Sequence, residues 1–352
     1  MTRNLLNEYA YIILNNLPEW NYTCTDKKVK ESILNQKEVF MEEVKKIDIT
    51  LPTEEQLTKL GQVIRQFVPD AHINIRTKTG SKVKRDIPTY QNNIAYQESN
   101  DLKIFEIPQK NKNPLTWLIG TKEINGTKVG IVAIPSFSYD EMQEETRKKF
   151  VDAFFQMKKE NKWSSIIFDF RGNYGGDATV IKEISDRMKG APVSYAEKTE
   201  IITPTPLYQE HKTIFKNKEH TVELPDFSIK GQEGDRFNGS IYILQDKCNA
   251  SATEGAIYML SQLKHTKTIG ENTYGAFQGG ATVELPMRYN TSLIIGTEYR
   301  ERKTKNGHPI YENEGIPPHV QSESSKAYDT AISTLKSDIA SKKTLLQKAN
   351  NR

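Results

Sequence analysis

Residues 164–188 read SSIIFDFRGNYGGDATVIKEISDRM. The first seven positions hold the apolar Ile166, Ile167, Phe168 and Phe170, two of them β-branched, and predict a strand. Gly172, Gly175 and Gly176 then mark a turn, and ATVIKEISDRM carries helical spacing. The same order recurs on either side. KVGIVAIP (128–135) predicts a strand, and the segment around Phe150, Phe154 and Met157 predicts a helix with those three residues inward. Downstream, GSIYIL (239–244) predicts a strand and ATEGAIYMLSQLK (252–264) a helix. TKTIGE predicts a further strand, and ATVELP with TSLIIGTEY a hairpin. Strand–helix–strand–helix order predicts a mixed α/β fold, with a parallel or mixed sheet flanked by helices.

Outside this core the pattern changes. Leu5, Leu6, Tyr9, Ile12 and Ile13, then Val29, Ile33, Val39, Phe40 and Val44, then Leu57, Leu60, Ile64 and Phe67 recur at helical spacing. Residues 1–70 are therefore expected to form a helical bundle. Residues 71–127 are a polar connector, with short strands around Ile104 and Leu118. Residues 128–324 form the core, interrupted at 195–238 by a Thr-, Pro- and Lys-rich insertion without helical period. From residue 325 an exposed, Lys-bearing helix is expected.

Composition narrows the function classes. The 352 residues carry a net charge of +4, spread without a basic arm or tail, which gives no case for nucleic acid. No run approaches the ~20 apolar residues of a membrane span. The first twenty residues read as an amphipathic helix and not as an export signal. Two cysteines, Cys24 and Cys248, make neither a disulfide framework nor a zinc pattern; they suit a reducing compartment, though the compartment itself stays open. No His-Glu-x-x-His motif or carboxylate array calls for a metal.

Two strand-to-helix turns hold the chemistry. KCNASATEGAI (247–257) contains Ser251-Ala-Thr-Glu254, which fits a capping box. The same place suits a nucleophile, because the amides of a helix N-terminus stabilise developing negative charge. The Gly-x-Ser-x-Gly pattern of lipase-type hydrolases is absent. A serine nucleophile needs a base. Of the six histidines, His72 stands apart, in FVPDAHINIR at the foot of the helical region. The glycine turn FDFRGNYGGDAT matches no nucleotide-binding pattern and leaves open a plain turn or an amide aimed at an oxyanion. YENEGIPPHV (311–320) places Glu312 and Glu314 beside a Gly-Ile-Pro-Pro turn.

Together these segments resemble the tail-specific (C-terminal processing) serine peptidase family, which includes the tricorn core. IIFDFRGNYGG resembles its Asp-x-Arg-x-Asn-x-Gly-Gly turn. NASATEGAIYML and TIGENTYGAFQGG resemble its Ser-Ala-x-Glu helix and its Ile-Gly-Glu-x-Thr-x-Gly strand. YENEGIPPHV resembles its terminal Glu-Asn-x-Gly-Ile-x-Pro-Asp, and FVPDAHINIR its histidine segment. The resemblance implies a ClpP/crotonase-like β-β-α core behind an N-terminal helical bundle, and a serine endopeptidase that needs no cofactor and takes a peptide or unfolded protein. One branch uses a Ser–Lys dyad, but its lysine position is Ala276 here. The tricorn-like branch uses Ser and His, which implies Ser251 as nucleophile and His72 as base. Ala71 stands where that branch often has serine. Glu312 matches the orienting glutamate, with Glu314 as fallback, and His319 replaces an aspartate as a structural change. The amides of Gly175 and Ala252 are the implied oxyanion hole. About 55 residues separate His72 from Lys128, too few for a PDZ domain. A catalytically inactive member binding a peptide or apolar ligand, and a hydrolase of small esters or amides, are the competing readings. A nucleotide-binding α/β protein is a more distant one.

Overall fold

The computed structural model describes residues 3–16, 20, 27–67, 73–82, 99–107, 115–137, 144–194, 196, 198–201, 234–276, 282–287, 290–296, 298–304, 306–310 and 314–350. Its centre is a seven-stranded sheet in the order β13-β9-β8-β6-β5-β4-β3. β5 (Thr127–Ala133), β6 (Ser165–Asp169), β8 (Ser240–Gln245), β9 (Thr266–Gly270) and β13 (Val320–Gln321) run parallel. β4 (Leu115–Ile124) and β3 (Asn100–Ile107) join antiparallel at one end. Every residue of β6 and β8 is buried, as expected of central parallel strands covered on both faces.

Side-chain alternation distributes these strands between two layers. Ile166, Phe168, Ile241 and Ile243 face α4 (Glu144–Asn161), α5 (Thr179–Lys189) and α6 (Ala252–Ser261). Phe150, Phe154 and Met157 of α4 point into that layer. Gly190, at φ 70°, ends α5 in the left-handed conformation. Ile167, Tyr242, Leu244 and Ile269 face the opposite side, against α7 (Ala327–Asn350). The C-terminal helix is thus not the fully exposed element the sequence suggests. Ala327, Ala331 and Leu335 recur every four residues and are buried on the sheet, and Asp338 accepts hydrogen bonds from Tyr242 and Lys267. Two alanines in this stripe let the helix lie close, and Lys336 is exposed.

The helices α1 (Arg3–Asn16), α2 (Lys27–Lys45) and α3 (Thr53–Phe67) share a second core. That core includes Leu6, Phe40, Val44, Leu60 and Ile64. Val39, expected inward, is 42% exposed, because Phe40 and Val44 take the buried face one step round the helix. The same core takes in Ile75 of β1 (Asn74–Thr77) and Leu293 of β11 (Thr291–Gly296). These strands belong to a sheet ordered β10-β11-β1-β2, with β2 at Gly80–Ser81. β10 (Thr282–Met287) and β11 form the hairpin read in the sequence. Tyr9 of α1 is hydrogen-bonded to Thr291. Residues far along the chain therefore complete the packing of the N-terminal helices. β7 (Lys198–Ile201) and β12 (Glu298–Glu301) form a separate antiparallel pair. Most of the 195–238 insertion lies outside the described residues. Among those described, no helix is long and apolar enough to cross a membrane.

Candidate active site

β6 and β8 are adjacent parallel strands, and both strand-to-helix turns leave from their carboxyl ends. Open α/β sheets bind ligands at this end. The turn after β6 is fixed from within by Asn173, which is fully buried. Its Nδ2 donates to Ile134 O at 2.9 Å, and its Oδ1 accepts the Gly175 N–H at 3.0 Å and the Thr253 hydroxyl at 2.7 Å. The last bond joins the glycine turn directly to α6. Gly175 has φ +114°, and a Cβ there would sit 2.8 Å from Ala250 O and 2.9 Å from Ser251 Cβ. Only glycine allows the turn to approach the serine this closely.

Ser251 opens α6 with φ 55° and ψ −123°, in a positive-φ region that non-glycine residues rarely adopt. Such strain costs about 1–3 kcal/mol and clusters at active sites. The residue is partly exposed. Its N–H donates to Ala276 O at 3.0 Å and Glu254 Oε2 at 3.1 Å, the second being one half of the expected capping box. Among the described residues the Ala252 N–H has no acceptor, as the first amide of a helix should be. The Gly175 N–H is already taken by Asn173, whereas that of Gly176 has no acceptor among the described residues.

Glu254 does more than cap the helix. It is fully buried and gathers four donors. Oε1 accepts the Thr273 hydroxyl and the Gly275 N–H, both within 2.8 Å. Oε2 accepts the N–H groups of Ala276 at 2.7 Å and Ser251 at 3.1 Å. Burial raises its pKa above the ordinary glutamate value, and these donors together with Arg302 pull the other way. The signal was in the sequence as Ser-x-x-Glu, but nothing there shows that the same carboxylate holds the Thr273–Ala276 stretch.

Thr273 extends this network towards the third motif. Its Oγ1 accepts the Ile316 N–H at 2.6 Å, and Gly315, at φ +74°, is the one residue type that fits against Thr273 O. His72 and Glu312 lie outside the described residues, as do Ala71, His211 and His220. Glu314 is exposed, and its carbonyl accepts from Asn272 at 3.3 Å. His319 Nδ1 accepts the Thr268 N–H at 3.1 Å, which ties β13 to β9. Ala276 is buried without exposure, so its methyl faces protein where a dyad lysine would need room.

Cys248, three residues before Ser251, is buried, and burial pushes its thiol up to about 12. A thiolate is the reactive form. Iodoacetamide at pH 8 is therefore expected to leave Cys248 unmodified in the native protein and to alkylate it in denaturant, as read by mass spectrometry. Native-state labelling of Cys248 would contradict its burial.

The family model for Peptidase family S41 matches residues 128–322, more than half of the chain. The chain belongs to peptidase family S41. The matched span holds both turns, the Glu254 network and the Gly315 segment. Among characterised relatives, this S41 chain is 25% identical over 252 residues to the carboxy-terminal processing protease CtpB of Bacillus subtilis, covering 71% of itself and 44% of that protein. It is 26% identical over 232 residues to the nisin-resistance protein of Lactococcus lactis, covering 65% of itself and 66% of the relative. The chain thus spans less than two thirds of the length of each. The structure of a protein from Parabacteroides merdae matches with a TM-score of 0.62 at 16% identity, over 95% of this chain and 97% of that one. Mature CPAF, in complex with lactacystin, matches with 0.57 at 12% identity, over 99% of both. At these identities the structural matches establish the shared mixed α/β fold.

Proposed function

We propose that the protein is a serine endopeptidase acting through an acyl-enzyme. The observation that carries this reading is Ser251, held at φ 55° on a helix N-terminus with Gly175 packed against its Cβ. Membership of S41 supports a peptide or protein as substrate. In this reading Ser251 Oγ attacks the scissile carbonyl, and His72 takes its proton and returns it to the leaving amine. Water then hydrolyses the acyl-enzyme. Glu312 orients the imidazole. The Ala252 N–H and the Gly175 N–H stabilise the oxyanion, the latter sharing its proton with Asn173 Oδ1. Such a donor is typically worth about 2.7–4 kcal/mol in the transition state.

Two observations support the choice of base. Ala276 removes the lysine of a Ser–Lys dyad. The chain also runs from Ala276, bonded to Ser251, into β10, which shares a sheet with β1, and β1 begins two residues after His72.

The test is digestion of a mixed peptide library by the protein and by Ser251→Ala, read by mass spectrometry. Cleavage by the parent alone supports the peptidase. Cleavage by neither points instead to an inactive member that binds a peptide or apolar ligand. His72→Ala is expected to abolish turnover while leaving the unfolding midpoint within a few degrees of the parent. A fully active His72→Ala beside a dead Ser251→Ala would assign the base elsewhere.

A further inference from the structure

Asp246 follows β8 and is 1% exposed. Its Oδ2 accepts the Gly172 N–H at 3.0 Å and the Ser324 hydroxyl at 2.9 Å, while Oδ1 accepts the Cys248 N–H at 3.0 Å. Gly172 stands three residues before Gly175, and Cys248 three before Ser251. One carboxylate therefore bonds the start of both turns. Ser324 completes the arrangement through its backbone as well. Its carbonyl accepts from Arg171 Nη1 at 2.6 Å, and the same guanidinium forms a two-pronged pair with Asp169. Asn249 closes the group, accepting the Asp246 N–H at 2.8 Å and donating to Asn173 O at 3.1 Å.

The two turns leave different strands, and an oxyanion hole needs their amides at a set separation. A buried carboxylate that accepts from both holds that separation to hydrogen-bond tolerance. Its third ligand comes from residue 324, beyond the span 128–322 matched by the family model, at the entrance to α7. We propose that Asp246, with Ser324 as its partner, is a positioning residue that sets the spacing of the glycine turn from Ser251, so that the segment entering the C-terminal helix takes part in building a competent site. This rests on the Ser251 reading above.

The test compares Ser324→Ala, Ser324→Thr and Asp246→Asn with Asp338→Ala. The last loosens α7 at its remote contact with Tyr242 and Lys267. Two readouts are taken: amide hydrogen exchange at Gly172 and Cys248, and kcat with KM on a peptide that the parent cleaves. Ser324→Ala and Asp246→Asn are expected to speed exchange at both amides and to lower kcat by about tenfold to a hundredfold, with KM within about twofold. Ser324→Thr, which keeps the hydroxyl, is expected to restore both readouts. Asp338→Ala is expected to lower Tm while leaving both near the parent. Unchanged exchange in Ser324→Ala, or an equal fall of kcat in Asp338→Ala at matched Tm, would overturn the proposal. Should Asp246→Asn fail to fold, the serine variants still decide. A parent that cleaves nothing removes the peptidase reading, and the exchange data then judge the spacing role alone.

Discussion

Ser251→Ala is expected to lower kcat on the order of a millionfold, the scale seen when a nucleophile is removed from a comparable site. Its stability should stay within about 1 kcal/mol of the parent, because alanine keeps the Cβ and with it the φ 55° strain. Ser251→Gly separates strain from chemistry. Glycine accepts this conformation freely, which relieves about 1–3 kcal/mol, and gives back about 0.4–1 kcal/mol through a freer unfolded chain. The net expectation is an equally dead protein that is about 1 kcal/mol more stable, read as a higher urea midpoint at unchanged slope. A Ser251→Gly protein less stable than the parent would mean that the serine hydroxyl holds the turn and that the strain account is wrong. Gain of stability on loss of the nucleophile is the pattern of a site kept strained for its chemistry.

Glu254 variants are expected to fail for the opposite reason. Glu254→Ala leaves the Gly275 and Ala276 amides and the Thr273 hydroxyl without their buried acceptor, while the Ser251 amide keeps Ala276 O. At about 1–3 kcal/mol for each buried group left unpaired, the expected loss is about 4 kcal/mol or more, with turnover lost as well. Glu254→Gln preserves shape but turns an NH2 group towards amides that also donate, so about 2–4 kcal/mol and most of the activity should go. The pH dependence has a definite sign. Burial leaves the native carboxyl holding its proton more tightly than the unfolded one. Between the unfolded glutamate value and the raised native one, the native state binds more protons, so this group makes stability fall as pH rises through that window. Glu254→Gln should remove that component, which urea titrations of both proteins at several pH values would detect. An unchanged slope would place the native titration of Glu254 at its ordinary value.

Much of the fold was legible because its signals are local. The runs around Ile167, Ile243 and Ile269 are apolar and β-branched, and the helices after the first two carry apolar residues at helical spacing, so the alternating order could be read residue by residue. Ser-x-x-Glu and the glycine turn were legible for the same reason, since caps and turns depend on a few adjacent residues. The closure of the N-terminal helices over β1 and β11 was not, because Tyr9 and Thr291 are brought together by the sheet and by no sequence pattern. Nor was the buried face of α7: Ala327 and Ala331 look weakly apolar in sequence, and only the sheet beneath them makes small residues the right ones.

The sequence alone therefore marked the candidate residues: a serine at a helix start, glycines in the neighbouring turn, and alanine where a dyad lysine would stand. Tertiary structure alone decided how they meet. A strand pairing put the two turns side by side, Gly175 without a Cβ let them touch, and Glu254 and Asp246 became shared acceptors for amides from distant segments. Hydrogen bonds of this kind join backbone groups that every residue possesses, so residue identity marks the acceptor and leaves the choice of donors to the fold.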